Sequence, residues 1–342
     1  MSRSRPRKDG RWRGDRRATE GRIRLKVVIP GGSGQIGTLL AEHFTKGGHD
    51  VVVLSRAPGA APWRVVAWDG ASVGDWAREI DGADVVINLA GRSVNCRYTA
   101  KNRAEILESR VLSTRAVGAA IAKSARPPRA WLQASTATLY AHRYDAANDE
   151  RAGIVGGNEP NAPDTWKFSI RVAQAWEAAL EEATVTSTRK VALRSAITMV
   201  PKEGGAFATL LGLARRGLGG RAGDGRQYVS WIHDTDFIKA VQWILDHERL
   251  SGVVNVAAPS PLPQEDFAKA IRRAAGIRVG LPAMKWMLEI GAVFLRTETE
   301  LILKSRRVVP TRLLETGFAF TFPTWNEAAY DLVRRYDFSK SR

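Results

Sequence analysis

The first sustained hydrophobic signal is a β-branched run, Val27 to Ile29. Glycines follow it, and then apolar residues at helical spacing: Ile36, Leu39, Leu40 and Phe44. A strand-like run giving way to a 3.6-residue period predicts strand, tight turn and helix. The alternation repeats down the chain. Strands are expected at 50–54, 64–68, 84–89, from Ala130 toward Tyr140, at 190–200 and briefly at 231–233. Helical patterns lie between them: a short one at Trp76 and Ile80, then 100–122, 166–182, one segment within 204–225, and 236–247. Strands alternating with helices predict an α/β protein with a doubly wound parallel sheet. The stretch from His142 to Pro163 is rich in Gly, Asn, Asp and Pro and reads as a long loop, a kind that often carries function.

Past residue 260 the helical patterns are punctuated by Pro261, Pro263, Pro282, Pro310 and Pro323. They predict a smaller, mainly helical cap. The expected organisation is a basic arm at 1–22, a nucleotide-binding domain at 23–250 and a C-terminal cap region at 251–342. Within the cap, Thr297 to Pro310 mixes charges with apolar anchors. It reads as a helix covering the cofactor domain or as a partner-binding surface.

Composition narrows the class. A chain of 342 residues that is 44% hydrophobic can bury a sizeable core. Its one cysteine, Cys96, excludes an intramolecular disulfide framework and a multi-thiolate metal site. The histidines (His43, His49, His142, His233 and His247) show no ligand spacing, so no metal is expected. The apolar stretch from Trp286 to Leu295 is interrupted by Glu289 and is too short to span a bilayer; it reads as a buried helix. With no apolar leader visible at the start, a cytoplasmic location is expected. The net charge is +17. Residues 1–24 hold ten basic side chains against three acidic ones, and so carry +7 of it. Without apolar periodicity this segment reads as a disordered arm. It reads as a solvated leader in preference to a nucleic-acid or anionic-membrane contact, because no aromatic interleaving or binding module accompanies it; no membrane partner is expected, and nucleic acid only through this arm.

The candidate chemistry begins in the first turn, Gly31-Gly32-Ser33-Gly34-Gln35-Ile36-Gly37. Gly31 permits the sharp turn, Gly34 lets a pyrophosphate approach the backbone, and Gly37 lets the helix pack close to the strand. The N–H groups and positive dipole end of that helix then face an anion. This is the pattern of a Rossmann-like dinucleotide site. Ser55 and Arg56 follow the second strand, where an Arg accommodates the 2′-phosphate that distinguishes NADP(H). Asp69 ends the third strand, within reach of an adenine amino group. Leu89, Ala90 and Gly91 end the fourth, where small residues let the chain pass beneath the cofactor.

These residues carry a family resemblance. The glycine turn, Asn88-Leu89-Ala90-Gly91 and the Ser135–Tyr140 strand end resemble the extended short-chain dehydrogenases/reductases. Cys96-Arg97-Tyr98, Glu108-Ser109-Arg110, Ala175-Trp176-Glu177, Ser230-Trp231-Ile232-His233 and Arg307-Val308-Val309-Pro310 narrow it to the atypical NAD-dependent epimerase/dehydratase-like group with a C-terminal domain of unknown function (DUF1731 type, about 280–330). The resemblance implies a Rossmann-type domain with a cap over the substrate side. It also implies a Tyr-x-x-x-Lys pair on the helix after the fifth strand. Aligned on Glu177, those positions hold Ser169 and Ala173, neither of which can move a proton. Tyr336 and Lys340 have the spacing but lie at the chain's end. The remaining candidates are Thr136, at the strand-five Ser/Thr position, and Tyr140, a phenol that Lys167 or Arg110 could tune, or simply a packed tyrosine. Arg110 stands where relatives carry Asn and could grip a substrate anion or a cofactor phosphate. His233 reads as a packed residue bordering the substrate region. Val229 stands where sugar-nucleotide epimerases hold a diphosphate with Arg, which argues against a nucleotide sugar. The implied function is an NADP(H)-dependent oxidoreductase or epimerase-like activity on a small carbonyl or hydroxyl compound, or a non-catalytic NADP(H) sensor, in a monomer or homodimer.

Overall fold

The β-branched runs become the strands of one seven-stranded sheet in a computed structural model that describes residues 24–160, 162–283 and 300–340. In chain order the first elements are β1 (Lys26–Pro30), α1 (Gln35–Lys46), β2 (Asp50–Ser55), β3 (Arg64–Ala67) and β4 (Val85–Asn88). Next come α2 (Ala100–Lys123), β5 (Ala130–Thr136), α3 (Asp164–Glu181) and β6 (Arg189–Ser195). The second half holds β7 (Ile197–Met199), α4 (Ala206–Arg215), β8 (Tyr228–Val229), β9 (Trp231–His233), α5 (Asp234–Asp246) and β10 (Gly252–Val256). After these lie β11 (Leu262–Pro263), α6 (Gln264–Ala274), α7 (Glu300–Leu303), α8 (Thr311–Glu315) and α9 (Trp325–Lys340). The strand order β10-β6-β5-β4-β1-β2-β3 is parallel at every pairing. The chain is therefore wound outward from β1 in both directions, as the Rossmann-like α/β expectation required.

Alternate residues of the central strands serve opposite faces. Val27, Ile29, Val53 and Ile87 pack with Leu40 and Phe44 of α1 and Phe237, Val241 and Ile244 of α5. Val28, Val52 and Val86 pack with Val117 and Ile121 of α2 and Leu180 of α3. A second core lies beyond one end of the sheet, where Phe207 and Leu211 of α4, Phe267 and Ile271 of α6, and Trp325 and Leu332 of α9 close around Trp231. Trp325 stacks on Phe267 with ring centroids 4.2 Å apart. His233 is packed, as expected: fully buried, stacked on Phe322 at 3.9 Å, with Nε2 3.1 Å from Asp331.

Three boundaries differ from expectation. The run 190–200 is two strands, because the chain crosses between sheets at Ala196. The Ala196 N–H donates to Val256 of β10, and the next residue pairs into β7 against β9. The seventh strand of the main sheet, β10, lies past residue 250, so the sheet domain reaches further than its expected boundary. From Glu300 on, the segment expected to be a helix over the domain is mostly extended. Its described part is one turn, α7, and then an extended run whose buried backbone is satisfied by β8 and the long loop: Arg306 N–H to Tyr228 O at 2.8 Å, Asn148 N–H to Arg307 O at 2.7 Å and Val309 N–H to Asn148 O at 3.0 Å. β-branched Val308 and Val309 with Pro310 favour extension there. The basic arm and the stretch from Trp286 to Leu295 lie outside the described residues.

Helix α1 packs directly on the turn before it. A Cβ on Gly37 would sit 2.4 Å from Gly32 Cα. Gly37→Ala should therefore destabilise the fold by at least about 1–3 kcal/mol, the usual range for overpacking against backbone. Chemical denaturation measures this, and an unchanged midpoint would contradict the close packing.

Candidate functional site

The glycine turn is held by its neighbours' backbone. Gly31 adopts φ +74°, and a Cβ on it would lie 2.6 Å from Ala90 N and Cα. Its N–H donates to Leu54 O at 2.9 Å, and Leu89 N–H donates to Pro30 O at 2.8 Å. The carboxyl ends of β1, β2 and β4 are thereby clasped together beneath the N-terminus of α1. Gly34 differs. It is the N-cap residue of α1, with no side-chain cap, and a Cβ there would meet only Gly31 O, at 3.7 Å. Nothing in the described chain requires a glycine at 34; the space it leaves belongs to the cleft.

That cleft has a volume of about 490 Å³ and gathers most of the expected cofactor residues: Gly31, Ser33, Gly34, Ser55, Arg56, Asp69, Leu89, Ala90 and Gly91. Ser55 Oγ lies 3.1 Å from Ser33 Oγ and so ties the two rims. Arg56 is exposed beside Gly70 and makes no ion pair among the described residues. Asp69 is largely spent on its own turn. It accepts the Ala71 and Ser72 N–H groups at 2.9 Å each and the Ser72 hydroxyl, which holds its carboxyl below the usual range. Gln35, Ile36 and Gly37 do not line the cleft with side chains. Ile36 packs on the core, Gln35 lies against Gly205 and Gly37 against Gly32. Sequence reasoning missed Arg92, Glu105 and Ser109, which line the cleft from the loop after β4 and from α2. The Arg92 N–H donates to Ser109 Oγ at 2.9 Å, and its guanidinium pairs with Glu105.

A smaller chamber of about 120 Å³ adjoins this cleft across Gly91, whose would-be Cβ is 3.3 Å from Arg110. Arg110 and Thr136 line it together, with Tyr98, Ser169, Trp176, Glu300 and Arg306. Arg110 is set deep. Its Nη1 donates to Ile106 O at 2.9 Å, its guanidinium lies 5.0 Å from the Trp176 ring, and burial pushes its pKa down to about 10. Arg306 donates to Thr138 Oγ1 at 3.2 Å and faces Glu300 at 3.7 Å. Ser169 donates to Glu300 at 2.5 Å, and the Tyr98 hydroxyl lies 3.5 Å from Ser169 Oγ. Behind Thr138, the fully buried Lys304 donates to its carbonyl at 2.7 Å; burial, then Arg306, brings that ammonium down to about 8. Glu300, Lys304 and Arg306 were not anticipated. Only the returning C-terminal segment brings them here, and no local pattern marks them.

Tyr140 is not in either cavity. Its hydroxyl donates to Asn255 at 2.9 Å and accepts from Arg194 at 3.0 Å, with the guanidinium 5.0 Å from its ring. Arg194 is gripped at 2.8 and 2.7 Å by Glu177, which also takes the Ser135 hydroxyl. Neither Lys167 nor Arg110 tunes the phenol. Burial raises its pKa and outweighs the lowering effect of Arg194, so at neutral pH it is a protonated donor. Tyr140 is thus a packed, hydrogen-bonded phenol outside both cavities.

A parallel doubly wound sheet with a glycine elbow under the first helix, and a ligand-sized cleft at its strand ends, defines a Rossmann-type protein. The chain belongs to the NAD dependent epimerase/dehydratase family, whose model matches residues 27–257, and a domain of unknown function, DUF1731, matches 285–332. It is 31% identical to the human epimerase family protein SDR39U1, over 90% of this chain and all of that one. It is 29% identical to the epimerase family protein YfhF of Bacillus subtilis, over 90% and 98% of the two chains. Among solved structures, the human SDR39U1 isoform 2 crystal structure with NADPH superposes with a TM-score of 0.79 at 30% identity, covering 91% of this chain and 99% of that one. Among the described residues, no helix is long and apolar enough to cross a membrane, and no group of three or more candidate ligands could hold a metal.

Tyr140→Phe should cost about 1–3 kcal/mol, the range for a hydrogen bond to a buried charge, while leaving nicotinamide-dinucleotide affinity unchanged. Paired denaturation and binding titrations decide. A large affinity loss at unchanged stability would return Tyr140 to the site.

Proposed function

We propose that the large cleft binds NADP(H) and that the adjoining chamber presents a small carbonyl or hydroxyl compound to it, making the protein an atypical short-chain oxidoreductase or epimerase-like enzyme. The observation that carries this is the open space at Gly34 before uncapped α1, with Arg56 across the cleft. In this reading the backbone N–H groups from Ser33 to Gly37, including those of Gln35 and Ile36, receive the diphosphate. Gly31 shapes the turn, and Arg56 with Ser55 receives the 2′-phosphate. Asp69 lies toward the adenine, and Leu89, Ala90 and Gly91 form the floor beneath the ribose and nicotinamide. NADPH in the human relative's crystal structure supports the same cofactor. When bound, the cofactor supplies hydride exchange. Thr136 then offers a hydroxyl to orient the substrate oxygen. A single cysteine, half-buried at Cys96, suits a reducing, cytoplasmic setting.

One observation favours a second reading, a sensor that binds NADP(H) without consuming it. Ser169 and Ala173 occupy the places of the family Tyr and Lys, and Ala173 is fully buried. Incubation with NADPH and a panel of carbonyl compounds separates the two: loss of nicotinamide absorbance supports the enzyme, and tight binding with no turnover supports the sensor.

Arg56→Asp should abolish preference for NADPH over NADH, a shift of about tenfold or more for one charge-assisted phosphate contact. Fluorescence titration of the two cofactors measures it, and an unchanged ratio removes Arg56 from the phosphate site. Gly34→Ala should weaken NADPH binding while leaving the melting temperature near wild type, the reverse of Gly37→Ala. Equal binding by the Gly34 variant would contradict the diphosphate placement.

A further inference from the structure

We propose that the chamber is built for a carboxylate, so that the small molecule it takes is an acid carrying a carbonyl or hydroxyl oxygen, with Arg110 as the carboxylate's partner. The proposal rests on the cleft's assignment only for orientation, because the chamber's charge stands independently of what fills the cleft.

The charge balance leads there. Two guanidinium groups, Arg110 and Arg306, and one carboxylate, Glu300, line the chamber among the described residues. Glu300 faces Arg306 at 3.7 Å and also takes the Ser169 hydroxyl, so its charge is engaged on that side. Arg110 has no such neighbour. Its contacts among the described residues are the Ile106 carbonyl and the face of Trp176, which leave one positive charge uncompensated in a low-dielectric pocket. Lys304, behind Thr138, adds to the positive side. A deep cation is costly unless something negative meets it. The planar fork of Arg, stacked on an indole and so fixed in orientation, suits a carboxylate better than a point charge would.

Shape and the second wall agree. About 120 Å³ has room for a small acid and not for a nucleotide sugar. The Tyr98 hydroxyl lies on the chamber wall, 3.5 Å from Ser169 Oγ. Tyr98 and Thr136 thus offer two hydroxyls to the oxygen next to a carboxylate held on Arg110. Tyr98 comes from the loop before α2.

The test uses the full-length protein and calorimetry with pyruvate, lactate and their methyl esters, with and without saturating NADPH. The acids should bind at least about tenfold more tightly than the uncharged esters, the difference expected from one charge-assisted pair. Arg110→Gln should erase that difference while changing NADPH affinity less than about twofold. Tyr98→Phe should weaken the acids and leave their advantage over the esters intact. Esters that bind as well as acids overturn the proposal in the wild-type protein, even if the arginine variant fails to fold. So does a protein that holds NADPH and binds no acid, or an Arg110→Gln variant that loses NADPH instead, which would assign Arg110 to a cofactor phosphate. Acids that bind where NADPH does not would sustain the chamber's assignment and defeat that of the cleft.

Discussion

The structure depends on backbone approaching backbone where a side chain would not fit. Gly31 lies against Ala90 and Gly37 against Gly32, and in each case a Cβ would fall 2.4 to 2.6 Å from main-chain atoms. These contacts draw the ends of β1 and β4 together and seat α1 directly over them. The helix N-terminus then points at open space instead of at protein. Packing and recognition are thus one constraint: the glycines that let the helix approach the sheet also aim its N–H groups at the cleft. Gly34 separates the two roles, since the fold makes no demand on it.

The chemistry beyond the cleft is organised by buried charge. Two arginines sit deep beside α3, against Trp176 and Glu177, with different surroundings. Arg194 has a bidentate carboxylate in Glu177 and a phenol in Tyr140, and burial, which would lower its pKa, is outweighed by those partners so that it stays charged. It is a fully satisfied structural network, tying β5, β6 and β10 to α3. Arg110 has a carbonyl and an indole face. The contrast between a paired and an unpaired guanidinium separates the structural network from the chamber proposed to take a ligand.

Much of this was legible in the sequence because it is local. The β-branched runs, the helical periods and the glycine spacing are decided by residues within one turn or strand of each other, and the cleft residues fall at strand ends that the same patterns locate. Ser33, Ser55 and Arg56 come together because parallel strands end on the same side. What could not be read depends on distant pairing. Lys190 to Val200 carries no turn residue that would divide it, so only the bond from Ala196 to β10 shows where one sheet gives way to another. Glu300, Lys304 and Arg306 look like ordinary charges in a polar stretch until the extended run against Tyr228 and Asn148 carries them beneath α3. The surroundings of Tyr140 were hidden for the same reason, because its partners Arg194 and Asn255 come from strands far along the chain.

The central claim is that the α1 N-terminus holds a dinucleotide diphosphate, and amide hydrogen exchange on the full-length protein with and without NADPH addresses it residue by residue. The account predicts slowed exchange concentrated at Ser33 to Gly37, with smaller effects at Arg56 and Ala90 to Gly91, and little change in the second core around Trp231 and Trp325. Unchanged exchange at Ser33 to Gly37 under saturating NADPH, or protection confined to another part of the molecule, would contradict it.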